Sequence, residues 1–112
     1  GGDEGGDDPD DEWSLVGVWY RDVRNVGEIL LEFDTAGLYY ASFADDPGTY
    51  VVKGEYSLAG DILSIQDVWG PLSCEYSAEY EIDIGETEAE FSTIDDRCEE
   101  RNEVIDGDWE RE

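Results

Sequence analysis

The chain has 112 residues, a length that suits a single domain with a modest core. Its 32 acidic and 6 basic side chains give a formal net charge of −26, which repels nucleic acid and anionic membranes. We therefore expect no nucleic-acid partner. Disorder requires low hydrophobicity as well as high charge, so a hydrophobic content of 39% indicates a folded domain.

The first twelve residues contain seven acids and no aliphatic or aromatic side chain. We predict a flexible acidic tether at 1–12 and a folded domain at 13–112. Leaders of this composition resemble the spacer behind the lipid-bearing cysteine of lipoproteins, which suggests a peripheral lipid anchor through the tether. The acidity of the whole chain also favours a salty environment, so a halophilic protein is a further hypothesis.

From residue 15 onward, apolar residues alternate with a period of two, and turn signals separate short segments. This pattern predicts an all-β meander, and no segment predicts a helix. We place eight strands in chain order at residues 15–21, 28–34, 38–44, 50–58, 61–68, 75–84, 87–94 and 104–111.

Turn residues between these strands predict how neighbouring strands pair. The expected pairs are Phe33 with Tyr39, Tyr56 with Leu63, and Ile82 with Ala89, around turns at 34–37, 59–60 and 85–86. The third hairpin also brings Cys74 and Cys98 together at its open end. We predict a disulfide between them and hence an oxidising, extracellular or cell-surface location; two reduced thiols in a cytosolic protein are the alternative.

The alternation also assigns an interior, which is strongly aromatic. It comprises Trp19, Ile29, Leu31, Phe33, Tyr39, Ala41, Phe43, Tyr56, Leu58, Leu63, Ile65, Tyr80, Ile82, Phe91 and Trp109. A barrel of eight strands is just wide enough to be filled by its own side chains or to hold one small ligand. The candidate ligand-binding residues of a hollow interior are Phe33, Tyr39, Phe43, Tyr56, Tyr80 and Phe91.

One seven-residue pattern occurs near both ends of the folded domain, as LVGVWYR at 15–21 and IDGDWER at 105–111. We predict that these two segments are neighbouring strands that close the sheet into a barrel. Their glycines are expected to leave room for the indoles of the neighbouring strand, and each arginine to lie over a tryptophan face. The predicted closure residues are Gly17, Trp19, Arg21, Gly107, Trp109 and Arg111.

An ordered series of motifs accompanies this pattern. It consists of LxGxW at 15–19, FxxxGxY at 33–39, GxY at 54–56, Cys74, DxC at 96–98 and GxWxR at 107–111. The series resembles the small bacterial and archaeal lipocalin-like domains, which are calycin-type β-barrels, over nearly all of residues 15–111. The resemblance implies a single eight-stranded antiparallel up-and-down β-barrel with a small lipophilic ligand.

We therefore expect a non-catalytic, secreted or cell-surface barrel that binds a small lipophilic ligand, with a neutral or cationic molecule favoured by the charge. The alternative is a structural or assembly subunit with a solid aromatic core and no ligand. The chain has no histidine for base, metal or nucleophile chemistry, so we expect no enzyme activity, cofactor or metal. Acid pairs such as Asp45–Asp46, Asp95–Asp96 and Glu99–Glu100 are expected on so acidic a surface.

The segment from Val68 to Leu72 is the candidate interaction surface. Trp69 stands beside a Gly-Pro turn, and Leu72 follows it. An exposed tryptophan of this kind is typical of a binding hot spot for a protein partner or for self-association. The alternative is a loop folded over a barrel mouth.

Overall fold

The structure of the chain is a computed structural model that describes residues 14–112. The tether predicted at 1–12 lies outside the described residues. The elements, in chain order, are β1 (Gly17–Val23), β2 (Gly27–Phe33), β3 (Leu38–Phe43), β4 (Tyr50–Ala59), β5 (Ile62–Trp69), β6 (Ala78–Ile84), β7 (Glu88–Asp95), α1 (Glu99–Ile105) and β8 (Gly107–Arg111).

The eight strands form a closed barrel in which each strand pairs with its neighbour in the chain and β8 pairs with β1. All pairings are antiparallel, and the closing pair places Trp19 opposite Arg111. The expected all-β, eight-stranded up-and-down barrel is confirmed. Because the sheet closes on itself, every strand has a neighbour on both sides, although β5 pairs with β4 alone beyond Ile65.

The predicted pairing is confirmed in the first hairpin and wrong in the other two. Phe33 lies opposite Tyr39 as expected. In the β4–β5 hairpin, however, Leu58 rather than Tyr56 pairs with Leu63, and in the β6–β7 hairpin Ile82 pairs with Phe91 rather than Ala89. Both registers differ from the prediction by two residues. A shift of two keeps every side chain on its expected face, so the inward and outward assignments survive it.

The short helix α1 corrects the expectation that the chain has none. Its last two residues, Val104 and Ile105, fall in the segment predicted as the last strand, so β8 begins at Gly107 instead of residue 104. Two acids, Glu99 and Glu100, lie in its first turn, where they interact favourably with the helix dipole. The helix buries Arg101 and Ile105, which are four residues apart on one face.

The barrel has two distinct ends. The turns after β2, β4 and β6 lie at the turn end, and the other connections, including α1, lie at the loop end. Leu15 precedes β1 at the turn end and Ile105 precedes β8 at the loop end, and both side chains belong to the buried core. Each end of the interior therefore has a buried aliphatic side chain from a segment that directly precedes a closing strand.

The buried core contains most of the predicted interior but lacks three of its residues. Leu58 is 40% exposed at the turn end, and Phe43 and Tyr56 are half-buried near the ends of their strands. These residues lie where the barrel opens toward solvent, so inward orientation alone does not bury them. The core also includes residues outside the predicted set: Leu15, Val23, Val52, Ala78, Ala89 and Ile105.

The predicted disulfide is present at the loop end, where Cys74 is joined to Cys98. Cys74 lies in the connection between β5 and β6, and Cys98 directly precedes α1. The bond therefore ties the helix that covers the loop end to the connection beside it.

Candidate functional site

The two copies of the repeated seven-residue pattern make the same local contacts at the seam between β1 and β8. The indole nitrogen of Trp19 donates to the Leu15 carbonyl at 2.9 Å, and that of Trp109 donates to the Ile105 carbonyl at 2.9 Å. Each tryptophan is fully buried, and its indole N–H, the only polar group of the side chain, is hydrogen-bonded within its own segment. The aliphatic residue of each copy is buried at one end of the barrel, and its carbonyl accepts this bond.

The arginine of each copy donates to the two carbonyls that flank the aliphatic residue of the other copy, Leu15 or Ile105. Arg111 donates to the carbonyls of Ser14 at 2.7 Å and Val16 at 3.3 Å. Arg21 donates to the carbonyl of Val104 at 2.6 Å and also to that of Asp106. The three backbone carbonyls before each glycine are therefore satisfied by one tryptophan and one arginine, which fastens the chain leading into each closing strand.

This arrangement corrects the role expected for the two glycines. A Cβ at Gly17 would lie 3.2 Å from the guanidinium of Arg111, and one at Gly107 would lie 2.6 Å from that of Arg21. The glycines therefore make room for the opposite arginine rather than for an indole, and both adopt a positive φ that favours glycine. Arg111 lies over the Trp19 ring at 4.2 Å from its centroid, whereas Arg21 binds carbonyls at the end of α1.

The aromatic side chains of the interior pack against one another. The Phe33 ring lies 6.0 Å from Tyr39, 5.0 Å from Tyr56 and 6.4 Å from Phe91, measured between centroids. Phe33, Tyr39, Tyr80 and Phe91 are at most 2% exposed. A side chain that lined a space large enough for a guest would have free surface facing that space, and these four candidate ligand-binding residues have almost none.

A buried polar cluster lies under α1 at the loop end. Arg101 binds Asp96 through two nitrogens, at 3.1 and 2.9 Å, and lies 3.3 Å from Asp67. The hydroxyl of Tyr39 donates to Asp67 and that of Tyr80 donates to Asp96. The two inward tyrosines thus direct their hydroxyls at carboxylates that also hold the helix.

These contacts shift the pKa values of both carboxyl groups, in opposite directions. Burial raises the pKa of Asp67 above its ordinary value, although Cys74 and Arg101 oppose the shift. Burial would also raise the pKa of Asp96, but hydrogen bonds from Arg101, Tyr80 and the Cys98 backbone hold it below its ordinary value. Asp96 is therefore occupied as an acceptor on both oxygens, which leaves neither free for acid–base chemistry.

The structural role of Arg101 was not among the expectations from the sequence. The burial of Arg101 depends on α1, and of its two partners Asp96 lies five residues before it while Asp67 is distant in the sequence. The only available signal was the spacing of Arg101 and Ile105, which share one face of a helix.

Three aromatic rings and one lysine form a continuous group on the outer face of β3, β4 and β5, which we call the aromatic strip: Tyr40, Tyr50, Lys53 and Trp69. Lys53 and Trp69 are exposed, whereas Tyr40 and Tyr50 are half-buried. Tyr40 pairs with Lys53 across β3 and β4, and Lys53 pairs with Trp69 across β4 and β5. The Lys53 nitrogen lies 5.6 Å from the centroid of Tyr50 and 5.4 Å from that of Trp69. The rings of Tyr40 and Tyr50 lie 4.9 Å apart.

The candidate residues Trp69 and Leu72 lie at one end of this strip, and their side chains are 55% and 57% exposed. Their backbone is nevertheless fixed to the barrel. The Leu72 amide donates to the Val51 carbonyl at 3.1 Å, and a Cβ at Gly70 would collide with the same carbonyl. The segment after β5 is thus held against β4 while its large apolar side chains face solvent.

Two further properties of residues 14–112 bear on function. These residues contain no group of three metal-ligating side chains placed to hold an ion, and none of their helices has the length and hydropathy needed to cross a bilayer. The chain matches no protein-family model, no curated protein and no solved structure. The resemblance to lipocalin-like domains therefore extends as far as the shared barrel architecture.

Proposed function

We propose that this chain is a non-catalytic interaction module, in which a filled barrel holds an exposed aromatic surface in place for a protein partner. The observation that carries this proposal is the contrast between interior and exterior. The tryptophans at the seam are fully buried, whereas Trp69 and Leu72 are more than half exposed on a segment fixed to the barrel wall.

The interior supports this function because its side chains are closely packed and hold the barrel wall rigid. Its rings pack against one another, both ends contain buried aliphatic side chains, and the hydroxyls of Tyr39 and Tyr80 are engaged by carboxylates. A lipophilic guest would have to displace these side chains and break the contacts that hold Leu15 or α1. Such a reorganisation would cost binding free energy, so interior lipophile binding is the less favoured function.

The exterior supports it by preorganisation. Tryptophan and tyrosine are enriched in interface hot spots; Trp69 contacts Lys53, and the nearby Val68 and Leu72 are also exposed apolar side chains. Because the backbone of this segment is already fixed to β4 and followed directly by Cys74, little conformational entropy remains to be lost on binding. The disulfide also fits a secreted or cell-surface protein, which is where we place this function.

A selection of peptide binders with two matched variants tests the proposal. Peptides of known sequence are selected against the wild-type protein and then measured against Trp69→Ser and Ile94→Ser. Ile94 is half exposed on β7 and serves as the control. We expect binders to lose about tenfold or more in affinity with Trp69→Ser and to keep it with Ile94→Ser. Circular dichroism establishes that both variants are folded.

The same proteins distinguish the lipophile hypothesis. A panel of neutral and anionic lipophiles is titrated while the fluorescence of the buried tryptophans is recorded. Saturable quenching that is the same in wild-type protein and Trp69→Ser would place the binding site in the interior. That result, or peptide binders that are indifferent to Trp69→Ser, would overturn the interaction module.

A further inference from the structure

We propose that the aromatic strip binds a basic, arginine-containing polypeptide segment. This inference rests on the interaction module proposed above and names the chemistry of its partner. It combines two observations on the outer face of β3, β4 and β5: a group of rings of which Trp69 is exposed, and a border of carboxylates.

Acidic side chains border the strip beside Tyr40, along β4 and before Tyr50. Glu32 lies opposite Tyr40 across β2 and β3, and the Asp34 carboxylate lies 3.2 Å from the Tyr40 hydroxyl. Glu55 lies two residues from Lys53 on the same face of β4, and Asp46 is bonded to Thr49, which directly precedes Tyr50. Lys53 is the one lysine of the chain and lies among the rings, so apart from this cation a partner meets a negative border around the strip.

This charge distribution selects the sign of the partner. Charged groups around an interface favour a complementary partner and suppress like-charged ones, here including a second copy of a chain with a net charge of −26. Because every strand of the barrel has a neighbour on both sides, we place recognition on the side chains of the outer face of the sheet.

The rings select arginine among basic side chains. Lys53 already lies against Trp69, yet more than half of the Trp69 side chain remains exposed. A guanidinium stacks on an indole through its planar face and can bind a carboxylate with two parallel hydrogen bonds. A partner arginine on Trp69 could therefore also reach the carboxylates at the border of the strip, and hydrophobic neighbours of that arginine would contact Leu72.

Three synthetic peptides test the proposal, each alternating leucine with arginine, glutamine or glutamate. Affinities for wild-type protein are measured by calorimetry at low and high salt. We expect the arginine peptide to bind most tightly, its affinity to fall with rising salt, and Trp69→Ser to weaken it by about tenfold. Glu32→Gln combined with Glu55→Gln should weaken only the arginine peptide, whereas Glu90→Gln on β7 should leave its affinity unchanged.

The outcomes separate this inference from the function on which it rests. If the glutamine peptide binds as tightly as the arginine peptide and both depend on Trp69, the interaction module stands and the basic partner is overturned. If the arginine peptide binds equally well to Trp69→Ser, or does not bind, the strip is not a site for basic segments. Dimerisation of wild-type protein that Trp69→Ser abolishes would identify a second copy as the occupant and also overturn it.

Discussion

Trp19 and Trp109 occupy equivalent positions on the two strands that close the barrel, and each donates to the carbonyl four residues before it, at 2.9 Å in both cases. The equivalence extends to their neighbours, because Arg111 and Arg21 each donate to the carbonyls on either side of the one to which the tryptophan of the other strand donates. The repeated pattern thus encodes a reciprocal clamp that joins the ends of the folded domain.

Replacement of Arg111 by methionine should weaken this clamp. The variant loses the contact with the Trp19 ring and the hydrogen bonds to Ser14 and Val16 while retaining an apolar stem. We expect the free energy of unfolding to fall by about 1–3 kcal/mol, as measured by urea denaturation. Arg24→Met is the control, since Arg24 is exposed in the turn after β1. Equal stability of the two variants would contradict the clamp.

Removal of Arg101 should lower the free energy of unfolding more than removal of Arg111, because it leaves two carboxylates buried without their cation. Arg101→Met is expected to lower the free energy of unfolding by about 3–5 kcal/mol. Addition of Asp96→Asn to this variant should recover part of the loss, since it removes one unpaired charge. A double variant that is less stable than Arg101→Met alone would show that the ion pair is not what Arg101 contributes.

The disulfide should contribute to stability by restricting the unfolded chain. Cys74 and Cys98 are separated by 24 positions, for which the chain-entropy model gives about 3.5 kcal/mol. We expect the variant with both cysteines replaced by serine to lose about this amount in urea denaturation. Wild-type protein measured with a reductant is the matched comparison, and a loss below about 1 kcal/mol in both would contradict the expectation.

The two buried carboxyl groups should give stability opposite dependences on pH. The pKa of Asp96 is lowered by folding, so its stabilising contribution is present above the ordinary value of 3.8 and is lost as the pH falls through its folded value. The destabilisation caused by Asp96→Asn should therefore shrink as acid is added. The pKa of Asp67 is raised by burial, so the stabilising contribution of this carboxyl group is present below 3.8 and is lost as the pH rises through its folded value.

Urea denaturation across this pH range measures both effects. The cost of Asp67→Asn should become smaller toward neutral pH, in the opposite direction to Asp96→Asn. Parallel pH profiles for the two variants would contradict the assignment of opposite pKa shifts.

The sequence predicted the barrel because its information is local and periodic. Alternation assigned Phe33 and Tyr80 to the interior without knowledge of their partners, and the repeated pattern around Trp19 and Trp109 identified the closing strands. The registers of two hairpins were wrong by two residues because turn chemistry allows neighbouring loop positions while alternation cannot distinguish shifts of two.

The buried polar cluster could not be predicted from the sequence because its members meet only in the folded chain. Asp67, Asp96 and Arg101 come from a strand, a connection and a helix, and no fixed spacing relates them. The aromatic strip could not be predicted for a similar reason. Trp69 was identified from its local context, but its neighbours Tyr40 and Lys53 depend on strand pairing and on the bulge between Lys53 and Gly54.

The central claim is that the outer face around Trp69 binds a partner while the filled interior does not bind a guest. Nuclear magnetic resonance of the indole N–H signals tests it directly, because Trp19, Trp69 and Trp109 report on the seam and the strip separately. On titration with the leucine–arginine peptide, we predict a saturable shift of the Trp69 signal with those of Trp19 and Trp109 unchanged, and no saturable shift with lipophiles. Saturable shifts of the Trp19 and Trp109 signals with a lipophile, with Trp69 unaffected, would contradict the account.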